Sequence, residues 1–125
     1  MLNTFFSQCL SWPGPISAAL YVPLHSGTQN TSKQWEDSEK HLKEAISKAR
    51  NFHAMAEKNL SCQLDLLLVY ERFNASRETV LYPVNTLRNY ARLQARTPLI
   101  GLFDADMLTS LTLFFDLLKP DAFKR

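Results

Sequence analysis

Three short apolar runs punctuate the chain. They are residues 16–22 (Ile-Ser-Ala-Ala-Leu-Tyr-Val), 63–70 (Gln-Leu-Asp-Leu-Leu-Leu-Val-Tyr) and 99–103 (Leu-Ile-Gly-Leu-Phe). Runs this short and this apolar suit strands covered on both faces, as in a parallel sheet. Pro23 is expected to end the first. Between them the apolar period changes from continuous to helical. Leu2, Phe5, Phe6, Cys9 and Leu10 predict a short amphipathic helix over 1–10, broken by Trp12-Pro13-Gly14-Pro15. Trp35, Leu42, Ala49 and Ala56 recur along 33–59, with Ile46 and His53 beside them, and predict the longest helix. Its Glu36 with Lys40, Glu39 with Lys43 and Glu44 with Lys48 are favourable i,i+4 pairs on a solvated face.

Downstream, Pro83 suits the first turn of a helix, where its missing N–H costs nothing. Val84, Leu87, Ala91 and Ala95 form the expected buried side, and Thr97-Pro98 the stop. Residues 107–118 place Leu108, Leu111, Phe115 and Leu118 on one side of a last helix before Pro120, with a strand reading open. The alternation of strand and helix predicts an α/β fold in three layers with a mostly parallel sheet. At 125 residues this is one domain, 1–125.

Composition narrows the function classes. An apolar share of 46% and a charged share of 21% are those of an ordinary globular protein. A net charge of +2 implies neither nucleic acid nor a membrane surface as partner. No apolar run approaches the roughly 18 residues of a membrane span, and residues 1–10 lack the basic start of a signal peptide. Cys9 and Cys62 have no metal-ligand spacing. They read as small half-buried hydrophobes, or as one disulfide if they meet in space. Three Asn-x-Ser/Thr sites, at Asn30, Asn59 and Asn74, tilt toward a chain that passes through the secretory lumen.

Candidate chemistry gathers at the third apolar run, which stops at Asp104-Ala105-Asp106. Along a strand these two carboxylates share a side. With no Lys close in sequence they repel unless a cation separates them. Mg²⁺ and Mn²⁺ accept such oxygen ligands together with phosphates; an N-cap pair for the following helix is the competing reading. Asn85, Arg88, Asn89 and Arg92 make a polar stripe on the preceding helix. A crossover would bring it toward the carboxylates, where Arg and amides suit a diphosphate and a sugar. The alternative is a solvated face. His41 and His53 fall on different helical faces and read as structural.

Three blocks together, Trp12 to Tyr21 (Trp-Pro-Gly-Pro-Ile-Ser-Ala-Ala-Leu-Tyr), Tyr82 to Asn89 (Tyr-Pro-Val-Asn-Thr-Leu-Arg-Asn) and Asp104-Ala105-Asp106, resemble glycosyltransferase family 49, the LARGE-type and β-1,4-glucuronyltransferase-like enzymes. The resemblance runs from Trp12 to about Leu118. It implies a partial GT-A (nucleotide-diphospho-sugar transferase) fold and a UDP-sugar donor, UDP-glucuronate in characterised relatives. It also implies Mn²⁺, or Mg²⁺, at the Asp-x-Asp motif. By position, Asp106 is the direct metal ligand, and Asp104 binds the metal or the donor's ribose and sugar. Arg88 and Asn85 are donor contacts. Relatives elongate glycans in the Golgi with an inverting mechanism, held by a membrane anchor absent from this chain.

An inverting reaction needs a carboxylate base at the acceptor, and no residue here is a good candidate. The base and acceptor site are expected beyond Arg125, so this incomplete domain is expected not to turn over alone. Two alternatives stand beside that reading. One is a non-catalytic truncated α/β fragment. The other is a haloacid-dehalogenase-like phosphohydrolase, against which Leu108 and the motif's late position count.

Overall fold

A computed structural model describes residues 2–26, 32–59, 62–74, 82–104 and 107–122. Their elements run α1 (Leu2–Ser11), β1 (Pro15–Ser26), α2 (Ser32–Asn59), β2 (Gln63–Asn74), α3 (Val84–Gln94) and α4 (Leu111–Leu117). β1 and β2 pair in parallel without a slip, from Pro15 opposite Gln63 to Ser26 opposite Asn74. Both strands outrun the stretches expected from their apolar runs. Pro23 does not end β1 but sits within it, opposite Glu71. A proline is tolerated in a strand where its missing N–H is not needed by the ladder.

Strand alternation sorts the two faces of the sheet. Ile16, Ala18, Leu64 and Leu66 face a core with Phe5 and Cys9 of α1, Phe52 and Ala56 of α2, and Cys62. Phe5 and Phe52 meet at 5.9 Å between ring centres. On the opposite face Ser17 donates through Oγ to the Ala91 carbonyl of α3 at 2.6 Å. Gln94 Nε2 reaches the Ala18 carbonyl at 3.1 Å, and Arg96 pairs with Asp65 at 2.8 Å. The layers are therefore α1 and α2, the sheet, then α3. Within α2, Ala49 and Ala56 are buried as the heptad expects, but Phe52 carries the aromatic contact. His53 is structural: its Nε2 lies 2.9 Å from the Leu64 carbonyl.

The third run departs from expectation. Residues 99–103 adopt no strand, and Leu99, Ile100, Leu102 and Phe103 are exposed. The ladder among the described residues has two strands, and an apolar run becomes a strand only where a neighbour takes its backbone hydrogen bonds. The last helix is also shorter than its pattern. Ser110 accepts from the Leu113 N–H at 3.2 Å and caps α4 there. Leu108, Leu111, Phe115 and Leu118, the expected buried side, are exposed. The inward ring is Phe114, edge-on to Trp12 at 5.0 Å. In α3 Leu87 is buried while Val84, in the first turn, is exposed.

Trp12-Pro13-Gly14-Pro15 has a packing reason. A Cβ on Gly14 would lie 2.8 Å from Trp12 Nε1 and 2.9 Å from Phe114 Cε2, and the Gly14 carbonyl accepts from the Gln63 N–H at 3.2 Å. Bare backbone here lets the Trp12–Phe114 pair close over the start of the sheet. Cys9 and Cys62 form a disulfide between α1 and the residue before β2, so they are not free thiols. Asn59 ends α2, Asn74 ends β2, and Asn30 lies outside the described residues.

Two stability outcomes follow from this packing. Gly14→Ala should lower thermal stability by about 1–3 kcal/mol, because rings and not flexible side-chain ends must move. Replacing both cysteines by serine should cost about 4 kcal/mol, the chain-entropy value for a cross-link closing a loop of this size. Urea unfolding checks both, and peptide mapping without reductant should recover Cys9 joined to Cys62.

Candidate functional site

Arg88 occupies the second turn of α3, which begins just after Pro83, and the Pro83 carbonyl accepts the Leu87 N–H at 3.0 Å. With Leu87 seated against the sheet, the neighbouring position is turned to solvent. Asn85, Arg88, Asn89 and Arg92 are all exposed. Of these four, Arg88 reaches across to the aspartate segment, where its Nη2 donates to Asp104 Oδ1 at 2.6 Å. The two side chains are 44% and 59% exposed, so the pair contributes at most about 1 kcal/mol to stability.

This contact revises the charge argument drawn from the sequence. Asp104 has a compensating cation, supplied from α3 sixteen residues upstream. The cap alternative also resolves: the N-cap of α4 is Ser110, so the aspartates do not cap that helix. Asp106 lies outside the described residues. Among the described residues no group of three His, Cys, Asp or Glu side chains converges as a metal cage. Asp104 does offer an exposed carboxylate of the hard-oxygen kind that Mg²⁺ and Mn²⁺ take. Such ions are usually held by one or two carboxylates plus substrate phosphates, so the donor chemistry fits a metal–phosphate site with few protein ligands.

The backbone of the same segment is held from the other side of the molecule. Met107 N–H donates to the Asp104 carbonyl at 3.0 Å. The Gln8 side-chain amide of α1 donates to the Asp104 carbonyl at 3.3 Å and to the Met107 carbonyl. Gln8 escaped the sequence reading. Its signal was a polar residue on the apolar side of α1, three positions after Phe5 and beside Cys9.

A second polar cluster lies on the α3 side of the sheet, toward the carboxyl ends of the strands. Tyr21 donates to Glu71 Oε2 at 3.0 Å, and its ring meets Tyr82 edge-on at 5.7 Å. Partial burial, followed by the hydrogen bond to Glu71, pushes the Tyr21 phenol above its ordinary value. A raised phenol pKa means that the folded state holds the proton more tightly. The associated stability is therefore complete below the unfolded pKa, about 10, and is lost as pH rises through the folded value.

Among the described residues, a two-stranded parallel sheet lies between helices, with the Arg88–Asp104 pair reaching out from α3, and this makes an α/β unit. A sequence profile of the glycosyl-transferases for dystroglycan matches residues 1–120, and the chain belongs to that family. It is 35% identical over 117 residues to the human xylosyl- and glucuronyltransferase LARGE2, covering 90% of this chain and 12% of that protein. The mouse xylosyl- and glucuronyltransferase LARGE2 is 34% identical over the same share of this chain, 13% of its own length. The chain thus spans about an eighth of these curated relatives. No solved structure matches it. Family membership sets aside the dehalogenase-like alternative.

Replacing Tyr21 by Phe should remove the alkaline contribution. The mutant's urea midpoint should follow wild type at neutral pH within about 1 kcal/mol, and fall less steeply above pH ~10.

Proposed function

We propose that this chain is the donor-binding part of a GT-A-type glycosyltransferase domain, taking a UDP-sugar together with Mn²⁺ or Mg²⁺ at Asp104 and Asp106. The observation that carries the reading is the 2.6 Å contact of Arg88 with Asp104. It unites, at one exposed spot, the two sequence blocks that the family resemblance assigns to donor and metal. The Cys9–Cys62 disulfide supports an oxidising compartment such as the Golgi lumen. Among the described residues no helix is long and apolar enough to cross a membrane.

The residues present divide the work. Asp104 offers the oxygen ligand described above, and Asp106 adds a second by position in the motif. A bound ion would act as a Lewis acid, neutralising charge on the nucleoside diphosphate leaving group. Arg88 carries five N–H donors in a planar fork, so it can hold Asp104 with one nitrogen and a phosphate oxygen with another. Asn85, one helical turn before Arg88, offers an amide to the sugar or ribose. The glycan acceptor and the carboxylate base of an inverting transfer would come from outside these residues, so the chain alone would bind donor without transferring it.

Calorimetric titration of UDP in the presence of Mn²⁺ tests this reading. Wild type should bind, and Asp106→Ala, Asp104→Ala and Arg88→Ala should each weaken binding at least about tenfold, or 1.4 kcal/mol. Their thermal midpoints should stay near wild type, as an exposed pair requires. Equal binding by Asp106→Ala and wild type would sink the metal assignment. Absence of UDP binding by wild type would leave the non-catalytic fragment as the reading.

A further inference from the structure

Beyond the Arg88–Asp104 pair, Gln8 makes polar contacts between distant parts of the chain. Its residue is 7% exposed, and its amide serves carbonyls 96 and 99 positions away. A carboxamide nitrogen has two N–H donors, so one side chain can satisfy the Asp104 and Met107 carbonyls together. The base from which it reaches is rigid. Cys9, the next residue, is fully buried and bonded to Cys62, and Phe5, one turn earlier, packs on Phe52. Little apolar packing anchors the backbone beside these carbonyls, since Phe103, Met107 and Leu108 are exposed. The backbone position at Asp104 and Met107 therefore depends on Gln8, as the direction of the Asp104 carboxylate depends on Arg88.

We propose that Gln8 is a positioning residue for the backbone at Asp104 and Met107, transmitting the fixed, disulfide-clamped placement of α1 to the residue that presents the Asp104 carboxylate. The ligand part of this inference rests on the donor-site reading above. Gln8 touches neither metal nor nucleotide. It holds the Asp104 carbonyl, on the residue whose carboxylate would meet the ion, and a bound Mg²⁺ tolerates little error in ligand placement. Removing the donors at constant volume should loosen the backbone at Asp104 and Met107 and leave the sheet intact. Reversing the polarity with a carboxylate should loosen it further, because an ionised side chain would then face two carbonyl oxygens.

Hydrogen–deuterium exchange of the whole chain, comparing wild type with Gln8→Met and Gln8→Glu, tests this contact without any ligand. The Met107 amide, which donates to Asp104, should exchange about tenfold faster in Gln8→Met and faster still in Gln8→Glu, while β1 and β2 amides keep their protection. UDP affinity in the presence of Mn²⁺ should fall about tenfold in Gln8→Met. Unchanged exchange at Met107 in both variants overturns the proposal, as does unchanged affinity alongside faster exchange at Met107. Protection lost across β1 and β2 as well overturns it too, because Gln8 would then be a determinant of the fold. If wild type does not bind UDP, the donor-site reading has failed, and the exchange result still decides whether Gln8 holds the backbone at Asp104 and Met107.

Discussion

The bond between Cys9 and Cys62 is the constraint on which the arrangement depends. It ties the last turn of α1 to the residue that leads into β2, and both sulfurs are buried at the centre of the core. A two-stranded sheet cannot bury enough surface to hold itself. Here it is stabilised by helices on both faces, and the covalent tie removes the freedom of α1 to leave one of them. Phe5 against Phe52, and the small residue Ala56, fill the space that the tie defines. Gly14 then lets Trp12 and Phe114 close over the entry to the strands.

That placement reaches the candidate site through polar contacts. Gln8 stands beside the tied cysteine and donates to the Asp104 and Met107 carbonyls, while Arg88 comes from the helix on the other face of the sheet. The aspartate segment is thus located by two helices that do not belong to the same layer. Each contact is individually modest, and the Arg88–Asp104 pair is exposed. An exposed ion pair is easily reorganised.

Membership of the glycosyl-transferase family for dystroglycan gives the blocks around Trp12, Tyr82 and Asp104 a shared context. It also explains why each block looked ambiguous on its own. Tryptophan, glycine and two prolines make a packing corner, and Asn85 with Arg88 makes a polar helix face. Asp104 and Asp106 are two carboxylates after an apolar run. The fold puts the second block beside the third through Arg88 and Asp104.

The amino-acid sequence by itself determined the helices and strands whose apolar pattern matched a single backbone period, because that pattern depends only on local geometry. It therefore located α1, α2, β1, β2 and α3 and predicted the parallel, layered arrangement. It also supplied the chemistry of the Asp-x-Asp motif and the arginine stripe. Only tertiary structure decided whether Cys9 met Cys62, because two cysteines 53 positions apart carry no local sign of each other. Pairing likewise decided the strand lengths: β1 continued through Pro23 because β2 lay alongside, whereas residues 99–103 had the composition of a strand but, among the described residues, no partner in the ladder. Gln8 and Arg88 follow the same rule. Their residue types were plain in the sequence, but their partners, far along the chain, were brought to them by folding.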